Sequence, residues 1–68
     1  MLDPLLIDAK ELARLLSLSL RTVRSMMASG RTPKPIKING GSVRFLYTEV
    51  RAWCEAGCPG RAEWEAGR

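Results

Sequence analysis

Two arginines one helical turn apart, Arg21 and Arg24, are the side chains best placed to do chemistry in this sequence. They stand in Ser19-Leu20-Arg21-Thr22-Val23-Arg24-Ser25, a segment whose polar residues share one side if it is helical. A guanidinium is a planar fork of donors that fits a guanine edge or a phosphate bidentately. The hydroxyls of Thr22 and Ser25 suit phosphate oxygens. Leu20, expected to be exposed at the start of the segment, fits a thymine methyl. The competing reading of these arginines is a solvated helix face. Other chemistry is thin. There is no His, and Cys54 and Cys58 are the only cysteines. Two thiolates do not close a tetrahedral zinc site, so no metal is expected. Packed or idle thiols in a reducing compartment are expected, with a disulfide or redox role as the alternative. No glycine-rich phosphate loop is visible, and the few carboxylates fall in caps and on helix surfaces. An enzyme is therefore the least favoured class, and no cofactor is expected.

The elements that must position the arginines lie between Asp8 and Gly30. Asp8 is a good N-cap with Glu11 three residues on, which predicts a capping box. Ile7 and Leu12 take the positions of a hydrophobic staple. The same grammar repeats with Ser19 as cap and with Leu18 and Val23 as staple. Helices are predicted from about Ala9 to Leu16 and from about Leu20 to Ser29. Gly30 supplies the left-handed residue that closes the second. The link from Ser17 to Ser19 is too short for anything but a sharp crossing. Leu12, Leu16, Leu18, Val23 and Met26 are expected at the seam, with small Ala13 where the helices cross. Lys10 and Arg14 fall on the outer face of the first helix. Val23, Met26 and Met27 form the hidden side of the second.

Beyond Gly30 the period changes. Arg31-Thr-Pro-Lys-Pro35 blocks any helix and holds the chain extended. Ile36-Lys37-Ile38 and Val43-Arg44-Phe45 alternate like strands, and Asn39-Gly40-Gly41-Ser42 is a hairpin signal. A two-residue Gly40-Gly41 turn, or a four-residue loop, pairs Ile38 with Val43, Lys37 with Arg44 and Ile36 with Phe45. In that register Lys37 and Arg44 face each other, an unfavourable pair that a negative partner would relieve. Charges on a sheet surface also discourage edge aggregation, which is the bland alternative. Thr48 is the expected cap of a third helix, with Glu49 in its first turn and Gly57 and Pro59 at its end. Val50, Trp53 and Cys54 share its apolar side, and Trp53 reads as core rather than a stacking platform. Residues 1 to 7 read as an apolar lead-in, with Leu5 and Leu6 packed under the first helix. Residues 58 to 68 read as a short tail, with Trp64 docking a last helical turn.

Sixty-eight residues make one domain with a small core. The expected division is a domain over residues 1–57 and the tail beyond it. The net charge is +4, and arginines outnumber lysines eight to three. That balance suits a nucleic-acid partner, although charge alone is weak evidence. No apolar run is long enough to span a bilayer. Met1 to Ile7 lacks the basic start of a signal peptide, so a cytoplasmic location is expected.

Helix, helix, hairpin, helix is the predicted order, mainly α with a small β-hairpin that stands where a wing would. With Ser19-Leu-Arg-Thr-Val23, Gly30, Pro35-Ile-Lys-Ile38, Val43-Arg-Phe45 and Val50-Arg-Ala-Trp53, this order resembles the MerR-like, excisionase-type (AlpA-like) winged helix-turn-helix family. Ser17 departs from the pattern, since the family usually has Gly in that turn. The resemblance implies a double-stranded DNA-binding protein of a prophage or other mobile element. It implies a transcriptional regulator, an excisionase working with an integrase, or both. Ser19, Leu20, Arg21, Thr22, Arg24 and Ser25 would meet the major groove, and Lys37 and Arg44 the adjacent minor groove or its phosphates. No long dimerising helix is present, so a monomer is expected in isolation, with cooperativity on DNA. The competing class is a protein-interaction module such as an adaptor or anti-repressor, with Leu20, Leu46 and Trp64 as its apolar surface.

Overall fold

A computed structural model describes residues 3–67. Met1 and Leu2, the start of the apolar lead-in, lie outside the described residues, as does Arg68. The elements run β1 (Leu6–Ile7), α1 (Ala9–Leu16), α2 (Leu20–Ala28), β2 (Ile36–Ile38), β3 (Ser42–Leu46), α3 (Tyr47–Glu55) and α4 (Arg61–Ala66). The fold is a winged helix-turn-helix. Its wing is larger than the predicted hairpin, because β1 adds a third strand in the antiparallel order β1-β3-β2.

β1 corrects the expectation for the lead-in. Leu6 pairs with Leu46 and Ile7 with Phe45, so the segment joins the sheet instead of lying under α1. Leu5 stays in solvent at 82% exposure. Ile7 and Phe45 point inward and are buried with Leu12, Ala13, Val23 and Val50. Ala9, Leu16, Met27 and Tyr47 pack around this cluster. The staple pair Ile7 and Leu12 is thus part of the core itself.

Both predicted N-caps of the first two helices form. Asp8 Oδ1 accepts the Glu11 N–H at 2.8 Å, and Ser19 Oγ accepts the Thr22 N–H at 3.0 Å. The reciprocal half of the capping box is missing. Glu11 turns instead to Arg14, whose guanidinium donates to both its oxygens. An ionised partner on the next turn outcompetes a neutral backbone donor. That hydrogen bond holds the Glu11 carboxyl below its ordinary pKa and the Arg14 guanidinium above its own.

Three helices close in one way. Beyond each, a left-handed residue lets a later N–H reach a carbonyl five residues back. Leu18 bonds Ala13 at 2.9 Å after Ser17, Arg31 bonds Met26 at 2.8 Å after Gly30, and Cys58 bonds Trp53 at 2.9 Å after Gly57. Ser17 takes φ 58° and ψ 38°, a left-handed conformation that glycine adopts at less cost. The closure also corrects the place of Leu18. Its backbone caps α1, and its side chain lies at the rim of the crossing, 42% exposed rather than in the seam.

The predicted hairpin register is wrong by one residue. Ile36 pairs with Arg44, Lys37 with Val43 and Ile38 with Ser42. Asn39 (φ 52°) and Gly40 (φ 73°) form the turn, and the Gly41 N–H donates to the Ile38 carbonyl at 3.3 Å. Two successive positive φ values are the type I′ signature of Asn-Gly, so the turn sits one residue earlier than a Gly-Gly turn. Gly41 is then an extra residue before Ser42 pairs. A one-residue slip sends partners to opposite faces. Lys37 and Arg44 are therefore on different faces, and the expected like-charge pair does not exist.

The start of α3 also differs. Leu46 is its N-cap, with no side-chain bond, and Thr48 lies inside the first turn. β3 runs directly into the helix, and the Leu5 carbonyl accepts the Tyr47 N–H at 3.0 Å. The helix therefore begins one residue ahead of Thr48, at Tyr47, whose N–H, one of the orphan donors of the first turn, is satisfied by that strand carbonyl. Trp53 is fully buried, as expected of core, and its Nε1–H donates to the Pro59 carbonyl at 2.7 Å. α4 follows, where Trp64 Nε1–H donates to Glu49 Oε2 at 3.2 Å.

Candidate nucleic-acid interface

α2 buries Val23 completely and half-buries Met26 and Met27. The opposite side leaves Arg21, Thr22, Arg24 and Ser25 exposed. Helix period alone produces this division, because Val23, Met26 and Met27 recur at i, i+3 and i+4. The first turn of α2 carries no acidic residue. Its N–H groups and its dipole therefore favour an anion without competition from its own side chains. Among the described residues, no carboxylate pairs with Arg21 or Arg24.

The sequence-predicted residues divide when placed in space. Arg21, Thr22, Arg24 and Ser25 share the exposed face of α2 and come together. Ser19 stands at the helix start, where its Oγ lies 2.8 Å from Thr22 Oγ1. Those two hydroxyls satisfy each other, and Ser25 keeps its hydroxyl on the open face. Leu20 is half-buried rather than exposed. It lines a groove with Leu18, Ala13, Lys10 and Arg14 at the front of the helix crossing. Lys37 is exposed on β2, on the sheet face shared with Val43 and Phe45. Arg44 is half-buried on the other face, and its Nη1 donates to the Val43 carbonyl at 2.8 Å.

One residue that sequence reading treated only as part of a helix-blocking run stands beside the cluster. Arg31 lines an open groove with Arg21, Thr22, Ser25, Met26 and Ser29. The readable signal was Gly30. A left-handed closure returns the next residue toward the helix, so Arg31 had to come back alongside α2.

Residues 6–58 match the family described as Helix-turn-helix domain. This chain belongs to that family, in its excisionase-type, AlpA-like form. The match covers most of the chain and includes all three wing strands, both helices of the motif and α3. Membership implies a DNA partner and a class that is typically non-enzymatic. No curated protein and no solved structure matches the chain. Among the described residues, no helix is long and apolar enough to cross a membrane.

The two cysteines belong to α3 and its closing turn, and neither lines the groove beside α2. Cys54 is in the last turn of α3 and Cys58 follows Gly57, as the sequence predicts, and both thiols are free. Cys54 is exposed overall, yet its side chain borders a groove with Leu15, Tyr47 and Val50. Partial burial, with the neighbouring Cys58 second, pushes its pKa up to about 11.

Proposed function

We propose that this chain is a sequence-specific double-stranded DNA-binding protein that acts as a small transcriptional regulator or excisionase of a phage or mobile element. The observation that carries the reading is the exposed face of α2. Two arginines with no carboxylate partner among the described residues stand there, in a helix capped by Ser19 and free of acidic residues in its first turn. In this reading α2 lies in the major groove. Arg21 and Arg24 reach guanine edges or phosphates, and Ser19, Thr22 and Ser25 serve the backbone nearby. Leu20, half-buried, offers its remaining surface to a thymine methyl. Lys37 reaches the adjacent minor groove or its phosphates, and Arg44 supports the wing from its other face. The domain acts over residues 1–57 and works in the cytoplasm. It is a monomer when free and cooperative on DNA, alongside an integrase or the transcription machinery.

The test begins with selection of a preferred duplex from a random pool. Arg24→Ala should cost about 1–3 kcal/mol on the selected site and much less on scrambled DNA. Equal loss on both duplexes would mean that α2 does not read bases. A second reading, a protein-interaction module, has one observation in its favour. Ile36 and Leu46 are 41% and 38% exposed on the same outer face of the sheet. Leu20 and Trp64 are half-buried and add less to such a surface. Salt separates the two readings. Binding through several phosphates weakens steeply as salt rises, whereas an apolar contact does not.

A further inference from the structure

The groove beside α2 is lined by two arginines, one from the first turn of the helix and one from just beyond its closing residue. Arg21 and Arg31 line it together with Thr22, Ser25, Met26 and Ser29, enclosing about 430 Å³. The hydroxyls of the groove are partly engaged. Ser29 Oγ donates to the Ser25 and Met26 carbonyls at 3.0 and 3.3 Å, and Thr22 is bonded to Ser19. The arginines therefore supply the strongest donors of the groove. From Arg21 to the end of α2 the helix rises about 10 Å. The DNA major groove is about 12 Å wide. A helix lying across it brings its start to one phosphate wall and its closing residue to the other.

Arg31 is held from both sides by one residue of α4. The Arg61 N–H donates to the Gly30 carbonyl at 3.0 Å. Arg61 Nε donates to the Thr32 carbonyl at 3.0 Å, and its Nη2 reaches Thr32 Oγ1 at 3.5 Å. Thr32 is fully buried. Arg31 itself closes α2 through its N–H on Met26. The backbone on either side of an exposed arginine is thus fixed, and α4 lies outside the residues matched to the family. We propose that Arg31 grips a DNA phosphate at the far end of α2, and that Arg61 is the positioning residue that holds it there. This inference rests on the DNA-binding reading above.

The experiment titrates the full chain and its variants by fluorescence anisotropy on scrambled and selected duplexes between 50 and 200 mM salt. Losing one phosphate contact lowers the salt slope by about one unit, which is roughly an eightfold loss near 0.1 M salt. Arg31→Ala should show that loss on both duplexes. Arg61→Ala should weaken binding as well, and the double variant should be no weaker than Arg31→Ala alone, since one residue acts through the other. Arg61→Gln keeps a donor for Thr32 but no charge. It should retain more affinity than Arg61→Ala, and it carries the positioning test if the alanine variant melts below the assay temperature. Equal losses in the two Arg61 variants, or additive losses in the double variant, would make Arg61 a direct contact and overturn the positioning role. If Arg31→Ala titrates as wild type while Arg24→Ala loses the selected site, the Arg31 assignment fails and the DNA-binding reading stands. If the wild-type chain shows no salt-dependent binding to any duplex, both fall.

Discussion

Gly30 closes α2 at φ 71°, and a Cβ built there would meet nothing within 4 Å. Replacing it by alanine therefore isolates the cost of a left-handed backbone from any clash. That conformation costs an ordinary L-residue about 1–2 kcal/mol. Alanine recovers about 0.4–1 kcal/mol by restricting the unfolded chain. Gly30→Ala should then destabilise the domain by about 0.5–1 kcal/mol net. For a chain of 68 residues the unfolding entropy is roughly 140 cal/mol/K. The melting temperature should fall by about 4–7 °C. The assay is a thermal melt followed by far-ultraviolet circular dichroism. Gly41→Ala is the control, because Gly41 has equal space around it but no left-handed backbone. It should melt at or slightly above the wild-type temperature. If Gly30→Ala falls no further than Gly41→Ala, the left-handed closure does not limit stability. A drop corresponding to more than about 3 kcal/mol would mean a steric conflict, contrary to the open space at this position.

Lys37→Ala should weaken selected and scrambled DNA alike and lower the salt slope by about one unit, whereas Arg44→Ala should change the slope less, because Arg44 is half-buried on the opposite face and bonded to Val43. A comparison of slopes at four salt concentrations decides this, and equal changes for the two would restore a wing that uses both charges. Cys54→Ser with Cys58→Ser should leave DNA affinity within a few-fold, and a collapse of affinity in a folded double variant would make the thiols functional. With its pKa raised to about 11, Cys54 should be alkylated by iodoacetamide at pH 8 about ten times more slowly than a free thiol, once the greater nucleophilicity of a basic thiolate is counted. Mass spectrometry of timed samples reads the rate, and labelling as fast as free cysteine would refute the burial argument. Sedimentation at micromolar concentration should give a monomer, and a stable dimer there would contradict it.

The parts of the fold legible in the sequence are those set by residues within one or two turns of each other. Asp8, Ser19 and Gly30 mark the ends of α1 and α2 because caps act locally, and Val23 follows from helix period. Arg21 and Arg24 were readable as an exposed pair for the same reason. What sequence reading missed depends on distant partners. β1 has two residues, too few to show alternation, and it exists because Leu6 meets Leu46 across the chain. Thr48 carried a valid cap signal, but β3 runs straight into α3 at Tyr47, whose N–H is held by the distant Leu5 carbonyl, so the helix starts before Thr48. The hairpin turned on one choice between Asn39-Gly40 and Gly40-Gly41, both strong turn pairs, and that choice reversed the face of Ile36, Lys37 and Ile38 relative to β3. Leu18 matched a staple position, yet its backbone was needed to close α1. Arg61 offered no local signal at all, since its partner Thr32 lies 29 residues away.

The hairpin slip also changes which positive charges argue for an anionic partner. In the predicted register Lys37 and Arg44 would repel each other, and that repulsion would itself require something negative. In the observed register they lie on different faces, and Arg44 is occupied with the Val43 carbonyl. Arg14 is matched by Glu11, and Arg61 by Thr32. Each of these cations has a task within the fold. Arg21, Arg24 and Arg31 have no carboxylate partner among the described residues, and all three border the outer side of one helix. That helix is fixed at its start by Ser19, at its end by the Gly30 closure, and beyond it by the grip of Arg61 on Gly30 and Thr32. That support stabilises the domain and at the same time fixes the backbone beneath the guanidinium groups. It thereby holds several forks in one geometry, which lowers the entropy lost when they meet a regular polyanion. The case for DNA therefore rests on α2 and its two ends, with Lys37 as the wing's contribution.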